Sequence, residues 1–233
     1  MNNSDVLDHL FDKQIVCPFC NSHFKNKTVK SKSPRVISKD SDFFIRYSVV
    51  NPYFYDVIIC NSCGYAAMKS DFENIKLHKK ELVLSNVTPK WKPRQYTDIL
   101  DETLAIERYK LALLNALLLN LQDSTKAMIS LKIAWMFRLL NNSDHEKVFL
   151  KQALDGFNNA YIYEVFPIYG LQRDSLMYLL GELNRKLGDY QNALQWFSKT
   201  IVSVNSSYRV KEMARIGRDL IKNENLFLFD HAM

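Results

Sequence analysis

The chain has 233 residues, 47% of them hydrophobic and 24% charged, and a net charge of +6. That is enough apolar material for a sizeable core without disulfides, and it excludes wholesale disorder. Residues 1–95 hold 15 Lys and Arg against 9 Asp and Glu, whereas residues 96–233 hold 16 of each; the basic excess is N-terminal and a weak argument for an anionic partner.

The first residues carry acids at Asp5, Asp8 and Asp12 and no apolar run that could act as an export signal. The longest greasy stretch, Leu111–Leu121, is interrupted by Asn115 and Asn120. It is much shorter than the roughly 20 residues a membrane span requires. The expectation is a soluble cytoplasmic protein with no membrane span. Residues 1–70 mix strand-like runs, Phe43–Val50 and Tyr53–Ile59, with turn residues at Pro34, Asn51, Pro52 and Gly64.

All four cysteines lie in C-x-x-C pairs, Cys17 with Cys20 and Cys60 with Cys63. Two intervening residues let the backbone fold around an ion, with N–H groups aimed at the sulfurs. Two such knuckles supply four soft ligands, which suit one tetrahedral Zn²⁺. A complete shell of four thiolates leaves no position for water, so the ion reads as structural. In a cytoplasmic chain, paired cysteines are more often metal ligands than disulfides. Iron in a rubredoxin-like site fits the same residues, and buried cysteines without metal remain an alternative. A thioredoxin-like redox pair would explain one C-x-x-C but not both, and no βαβ pattern follows either. His23 lies three residues past Cys20 but is not needed to complete the shell.

Between the knuckles, Lys25, Lys27, Lys30, Lys32, Arg35 and Lys39 form a run with no acid among them. A zinc ribbon with such an arm can contact phosphates. No aromatic residue interleaves with the run, as a single-strand binder would require; a solvated, mobile loop is the favoured reading.

Residues 71–98 form a connector, with a short helix over Phe72–Leu84 and breaks at Thr88-Pro89 and Lys92-Pro93. From 99 onward the periodicity is helical. Helices are expected over Ile99–Leu121, Ser124–Leu140 (capped by Asp123 or Ser124), Asp144–Tyr163 (capped by Ser143, with Glu146 closing a capping box), 172–187, 189–203 and 206–223. Short connections make sequential antiparallel hairpins the natural packing.

Within Met177–Ile201, Leu180-Gly181 is followed by Ala193 and Phe197, the small/large register of a tetratricopeptide repeat (TPR). Asn184 and Asn205 depart from that pattern. Ala134-Trp135 with Ala153 and Phe157 reads as a degenerate upstream copy, and Tyr109–Leu121 as a candidate start of the array. A plain helical bundle is the competing reading. On either reading Trp135, Phe137, Trp196 and Phe197 belong to the core. Stacked hairpins make a concave groove suited to a protein or peptide, and the apolar Leu226–Phe229 tail is a candidate to fill it.

CPFC near the N-terminus, the segment Asn51–Ala67 and the helical stretches Ala105–Ala116 and Lys132–Leu140 together resemble a bacterial family catalogued as domain of unknown function 2225. The resemblance spans nearly the whole chain and implies the four cysteines as metal ligands. The family pattern usually has Pro after the third cysteine and Gly after each knuckle. Asn61 and Asn21 replace two of these, which is expected to loosen the turns.

No phosphate loop, dinucleotide glycine motif, H-E-x-x-H or G-x-S-x-G occurs. The acid pairs Asp71/Glu73 and Asp101/Glu102 fit solvated helix starts. The reading is a mainly α chain: a small β-rich four-cysteine zinc ribbon over 1–70, a connector over 71–98, and a TPR-like right-handed stack of helix hairpins over 99–233. Its expected role is a non-enzymatic scaffold for a protein or peptide partner, with a nucleic-acid-binding ribbon as the alternative.

Overall fold

A computed structural model describes residues 3–230, with side chains over 5–76 and 78–223. A short helix α1 (Asn3–Leu7) leads into strands β1 (Leu10–Val16) and β2 (His23–Val29), which pair antiparallel from Leu10↔Val29 to Val16↔His23. The hydrophobic pattern does not announce this hairpin. Of β1 only Leu10 and Ile15 are buried, and the buried residues of β2 are the polar Asn26 and Thr28. The basic run is therefore no loop at its start, because Lys25 and Lys27 sit in a strand.

Strands β3 (Val36–Lys39) and β4 (Ile45–Tyr47) pair next, with a bulge between Val36 and Ser38. The expected strand Phe43–Val50 shrinks to β4, because Phe43 takes a left-handed turn conformation at φ 71. The expected strand Tyr53–Ile59 splits. Asn51 Oδ1 accepts the N–H of Tyr53 and Pro52 opens a 3-10 turn over Pro52–Tyr55, so β5 is only Val57–Ile59. It pairs antiparallel with β6 (Ala66–Met68). In the connector, helix α2 covers Lys80–Asn86 and starts later than expected; Asp71 and Phe72 instead turn back on the Met68 carbonyl and bury the Phe72 ring.

The long helices follow as α3 (Glu102–Leu118), α4 (Asp123–Leu139), α5 (Ser143–Tyr163), α6 (Arg173–Lys186), α7 (Tyr190–Val202) and α8 (Tyr208–Asp230). Each packs on the next, and α6 also meets α8. Two caps differ from expectation. Asn142, not Ser143, caps α5 by accepting the His145 N–H, and Glu146 binds Arg138 at 2.7 Å instead of closing a capping box. The α4 N-cap is Gln122, without a side-chain bond; the Ser124 N–H is satisfied by Glu164 Oε1 at 3.0 Å. Asp101 caps α3 through the Leu104 N–H.

The core does not stop at residue 98. Val57, Ile59, Ala66 and Met68 share one hydrophobic cluster with Ala105, Tyr109 and Ala112 of α3 and with buried residues of α4, α5 and α6. Polar struts reinforce it: Tyr109 Oη donates to the Tyr53 carbonyl at 2.9 Å, and Lys132 Nζ lies 2.5 Å from Asp56 Oδ2.

The inter-knuckle segment crosses α4 and α6. Phe44, fully buried, stacks on Trp135 with ring centroids 5.3 Å apart. Asp42, also fully buried, takes two bonds from Arg138, at 3.0 and 2.5 Å, and one from the Trp135 indole at 3.2 Å. Phe43 lies against Tyr178, Ser41 donates to Glu182 at 2.5 Å, and Tyr178 Oη donates to the Ser41 carbonyl. Trp135, Phe137 and Phe197 are buried and Trp196 is half-buried against Tyr161. The Leu226–Phe229 side chains lie outside the described residues.

Phe197 is the pin between α6, α7 and α8. A Cβ placed on Gly181 would come within 2.6 Å of its ring, and one on Gly217 within 2.5 Å. The ring itself, more than Ala193, is what the small residue at 181 accommodates. Gly181→Ala should therefore destabilise by about 1–3 kcal/mol through overpacking, although Gly→Ala in an open helix position stabilises by about 1 kcal/mol. Urea titration checks the sign, and Phe197→Leu in the same chain should reduce the cost.

Candidate metal centre

Each C-x-x-C pair closes an antiparallel hairpin. The first knuckle joins β1 to β2: Cys17 N–H donates to the Ser22 carbonyl and Asn21 N–H to the Cys17 carbonyl, both at 3.0 Å. The second joins β5 to β6 the same way, with Cys60 N–H to Tyr65 and Gly64 N–H to Cys60, both at 2.8 Å. The residue ending each turn must be left-handed. Gly64 has φ 79 and Asn21 φ 58. Asn is among the few non-glycine residues that enter this region readily, so Asn21 keeps the turn and does not loosen it. Asn61 adds ties of its own. Its carbonyl accepts the Trp91 indole N–H and its side-chain oxygen the Arg94 N–H, both at 2.8 Å.

The hairpin ends bring the four thiols together. All four Sγ atoms lie within 4.8 Å of one another, with Cys20–Cys60 at 3.5 Å and Cys17–Cys63 at 3.7 Å. A tetrahedral ion about 2.3 Å from each sulfur requires sulfurs about 3.8 Å apart. The cluster matches that spacing and can hold one metal ion. Cys17, Cys60 and Cys63 are buried and Cys20 half-buried. Phe19, Tyr65 and Phe72 wall the centre, Phe19 meeting Tyr65 edge-on at 4.6 Å.

The electrostatics also favour a cation. Hydrogen bonds from Cys17 and Cys63, with a further one from Ser22, hold the Cys60 thiol far below its ordinary range, against the opposing effect of burial. Its neighbours move the other way: the bond with Cys60 pushes Cys17 up to about 12, and the bonds with Cys17 and Cys60 raise Cys63. Four soft sulfur donors at this spacing suit a divalent ion that binds thiolates. Backbone N–H groups already point at the sulfurs: Phe19 and Cys20 at Cys17, Cys63 at Cys60, and Tyr65 at Cys63.

Sequence reasoning missed Ser22, whose Oγ lies 3.1 Å from the sulfurs of both Cys20 and Cys60, and Trp91, whose ring covers Gly64. A Cβ on Gly64 would meet the Trp91 side chain at 2.7 Å. Gly64→Ala should thus cost about 1–2 kcal/mol from the left-handed backbone alone, plus the collision. Faster metal loss to a chromogenic chelator is the readout. His23 is an exposed residue at the start of β2 and lies outside the thiol cluster.

The six basic residues do not converge. Lys25 and Lys27 lie on β2, with Lys27 Nζ 3.0 Å from Asp12 and 3.2 Å from Asp98. Lys30, Lys32 and Arg35 line a turn, where Lys30 Nζ is 2.6 Å from the Asp8 carbonyl. Lys39 ends β3, over the Phe43 ring at 4.8 Å. Nor is Asp71 a solvated helix start. It is half-buried, which raises its pKa against the hydrogen bond that Tyr169 Oη donates to it at 2.8 Å.

These features define a mainly helical protein with an N-terminal four-cysteine cluster, built on two antiparallel hairpins, that can hold one metal ion. The chain belongs to the bacterial family described as "Uncharacterized protein conserved in bacteria (DUF2225)", whose model matches residues 10–221. It is also similar to an uncharacterized protein of Borreliella burgdorferi, at 22% identity over 181 residues. That match covers 68% of this chain and 64% of the relative, so the chain spans less than two thirds of the relative's length. No solved structure matches it. Among the described residues, no helix is long and apolar enough to cross a membrane.

Proposed function

We propose that the chain is a non-enzymatic, cytoplasmic scaffold in which one structural zinc ion stabilises a TPR-like helical array that binds a protein or peptide. Four converging thiols complete a coordination shell, which leaves no place for a reacting group and favours zinc over harder cations. The observation that carries the helical part is the wedging of Phe197 between Gly181 and Gly217, the small/large packing of stacked hairpins. Part of the face of α4 and α6 is taken by the chain's own Ser41–Phe44. The partner docks on the remaining stretch, where Tyr178, Arg209, Met213, Ile216 and Leu220 line a hollow beside Lys39.

Two measurements test this. Elemental analysis should return one zinc per chain with four unreactive thiols; iron, or a reversible Cys17–Cys20 disulfide without metal, would refute the zinc assignment. A photo-crosslinker at Met213 should capture one protein in the source bacterium, with capture lost on Ile216→Asp. If binding instead falls steeply with salt and disappears on replacing Lys25, Lys27, Lys30 and Lys32, the partner is nucleic acid and the scaffold reading fails.

A further inference from the structure

A cleft of about 510 Å³ lies between the β1–β2 hairpin, the second knuckle and the segment leading into α3. Its volume is that of small-molecule sites. Phe24, Ile59, Tyr96 and Leu100 contribute apolar wall. Lys25, Lys27, Arg94 and Arg108 line it together with the carboxylates of Asp12 and Asp98. Two of these cations are answered: Lys27 bridges Asp12 and Asp98, and Arg94 pairs with Glu107 just outside the cleft. Among the described residues, Lys25 and Arg108 have no carboxylate partner.

Arg108 is the more telling of the two. It is 7% exposed, its Nη2 donates to the Val57 carbonyl at 2.5 Å, and its guanidinium lies 4.8 Å from the centre of the Tyr96 ring. Its Nε is buried without an acceptor. Burial lowers its pKa, and the weaker opposing effects of Tyr96, Tyr109 and the Glu107 carboxylate do not offset it. A guanidinium carries five N–H donors, and an unpaired buried charge costs several kcal/mol. Capping one strand carbonyl does not require a permanent charge, because a neutral amide would serve.

We propose that this cleft is a binding site for a phosphate group, with Arg108 as the buried anchor and Lys25 as the cation at its mouth. Guanidinium donors match phosphate oxygens in geometry and charge. Two unanswered cations on different elements suit a tetrahedral dianion, whose oxygens diverge, better than a flat monoanionic carboxylate. The phosphate belongs either to a small phosphorylated molecule or to a nucleic-acid strand. A small phosphorylated molecule in the cleft leaves the helical-groove reading intact, whereas a nucleic-acid strand there would replace it.

Calorimetric titration of inorganic phosphate into the metal-loaded full chain should give saturable 1:1 binding, with none for acetate. Lys25→Glu should weaken it at least about tenfold, equivalent to ~1.4 kcal/mol. Arg108→Gln, which keeps a donor for Val57 but not the charge, should abolish it. If Arg108→Gln does not fold, Lys25→Glu decides alone, since that side chain is exposed. A short oligothymidylate that displaces phosphate and binds more tightly places the group on a nucleic acid; failure to displace it places the group on a small molecule. Absence of saturable phosphate binding, or binding unchanged by the charge reversal at Lys25, overturns the site.

Discussion

Stripping the metal, or replacing Cys60 with Ser, should unfold both knuckle hairpins and produce the largest stability loss of any single change in this chain. A structural ion held by four thiolates contributes on the order of 10 kcal/mol to the folded state of small zinc modules, since the ligands converge only when folded. Without it the four thiols retain only a few hydrogen bonds among themselves and with Ser22. The damage should spread in a defined direction. Ala66 and Met68 of β6 pack on α3, and Asn115 of α3 reaches the Gly64 carbonyl at 3.4 Å. Hydrogen exchange should therefore accelerate in α3, while α6 and α7, pinned by Phe197, stay protected. Circular dichroism should remain mostly helical. Complete loss of helicity would mean that ribbon and helices form one cooperative unit.

Arg138→Met should cost about 3–5 kcal/mol, the usual penalty for leaving one partner of a buried ion pair uncompensated. Asp42 has no exposure, and the Arg138 guanidinium is its only ionic partner among the described residues. Arg138 also binds Asp40 at 2.9 Å and Glu146 at 2.7 Å, so three carboxylates lose the same cation. Chemical denaturation of Arg138→Met, Asp42→Asn and the double variant gives the coupling energy; additive effects would remove the pair as the link between segment and helices. The pH response follows the same geometry. Burial pushes the Asp40 carboxyl upward, but the bonds from Arg46 and Arg138 outweigh it and hold its pKa below the ordinary value. The resulting stabilisation is present above the unfolded pKa of about 3.9 and is lost as pH falls through the lower folded value. In Arg138→Met the acid unfolding limb should move to higher pH.

The four cysteines of the candidate metal site and the long helices were legible in the sequence for a shared reason. Knuckle spacing and apolar periodicity are local properties, and each carries its physics within a few residues. The four cysteines, the helical periodicity from residue 99 onward and the Gly181/Phe197 register all follow from spacing alone. The β1–β2 hairpin was illegible because its inward face on β2 is made by Asn26 and Thr28, so no alternation of apolar and polar residues marks it. The Arg138 hub, 96 residues from Asp42 in sequence, has no local signature. The same holds for Arg108, whose burial against the Val57 carbonyl and the Tyr96 ring arises only in the assembled fold. By itself the sequence determined which four residues can hold an ion and where the long helices run. Only the tertiary structure decided that the segment between the knuckles covers α4 and α6, because burying Phe44 and the Asp42–Arg138 pair requires surfaces that no single element presents.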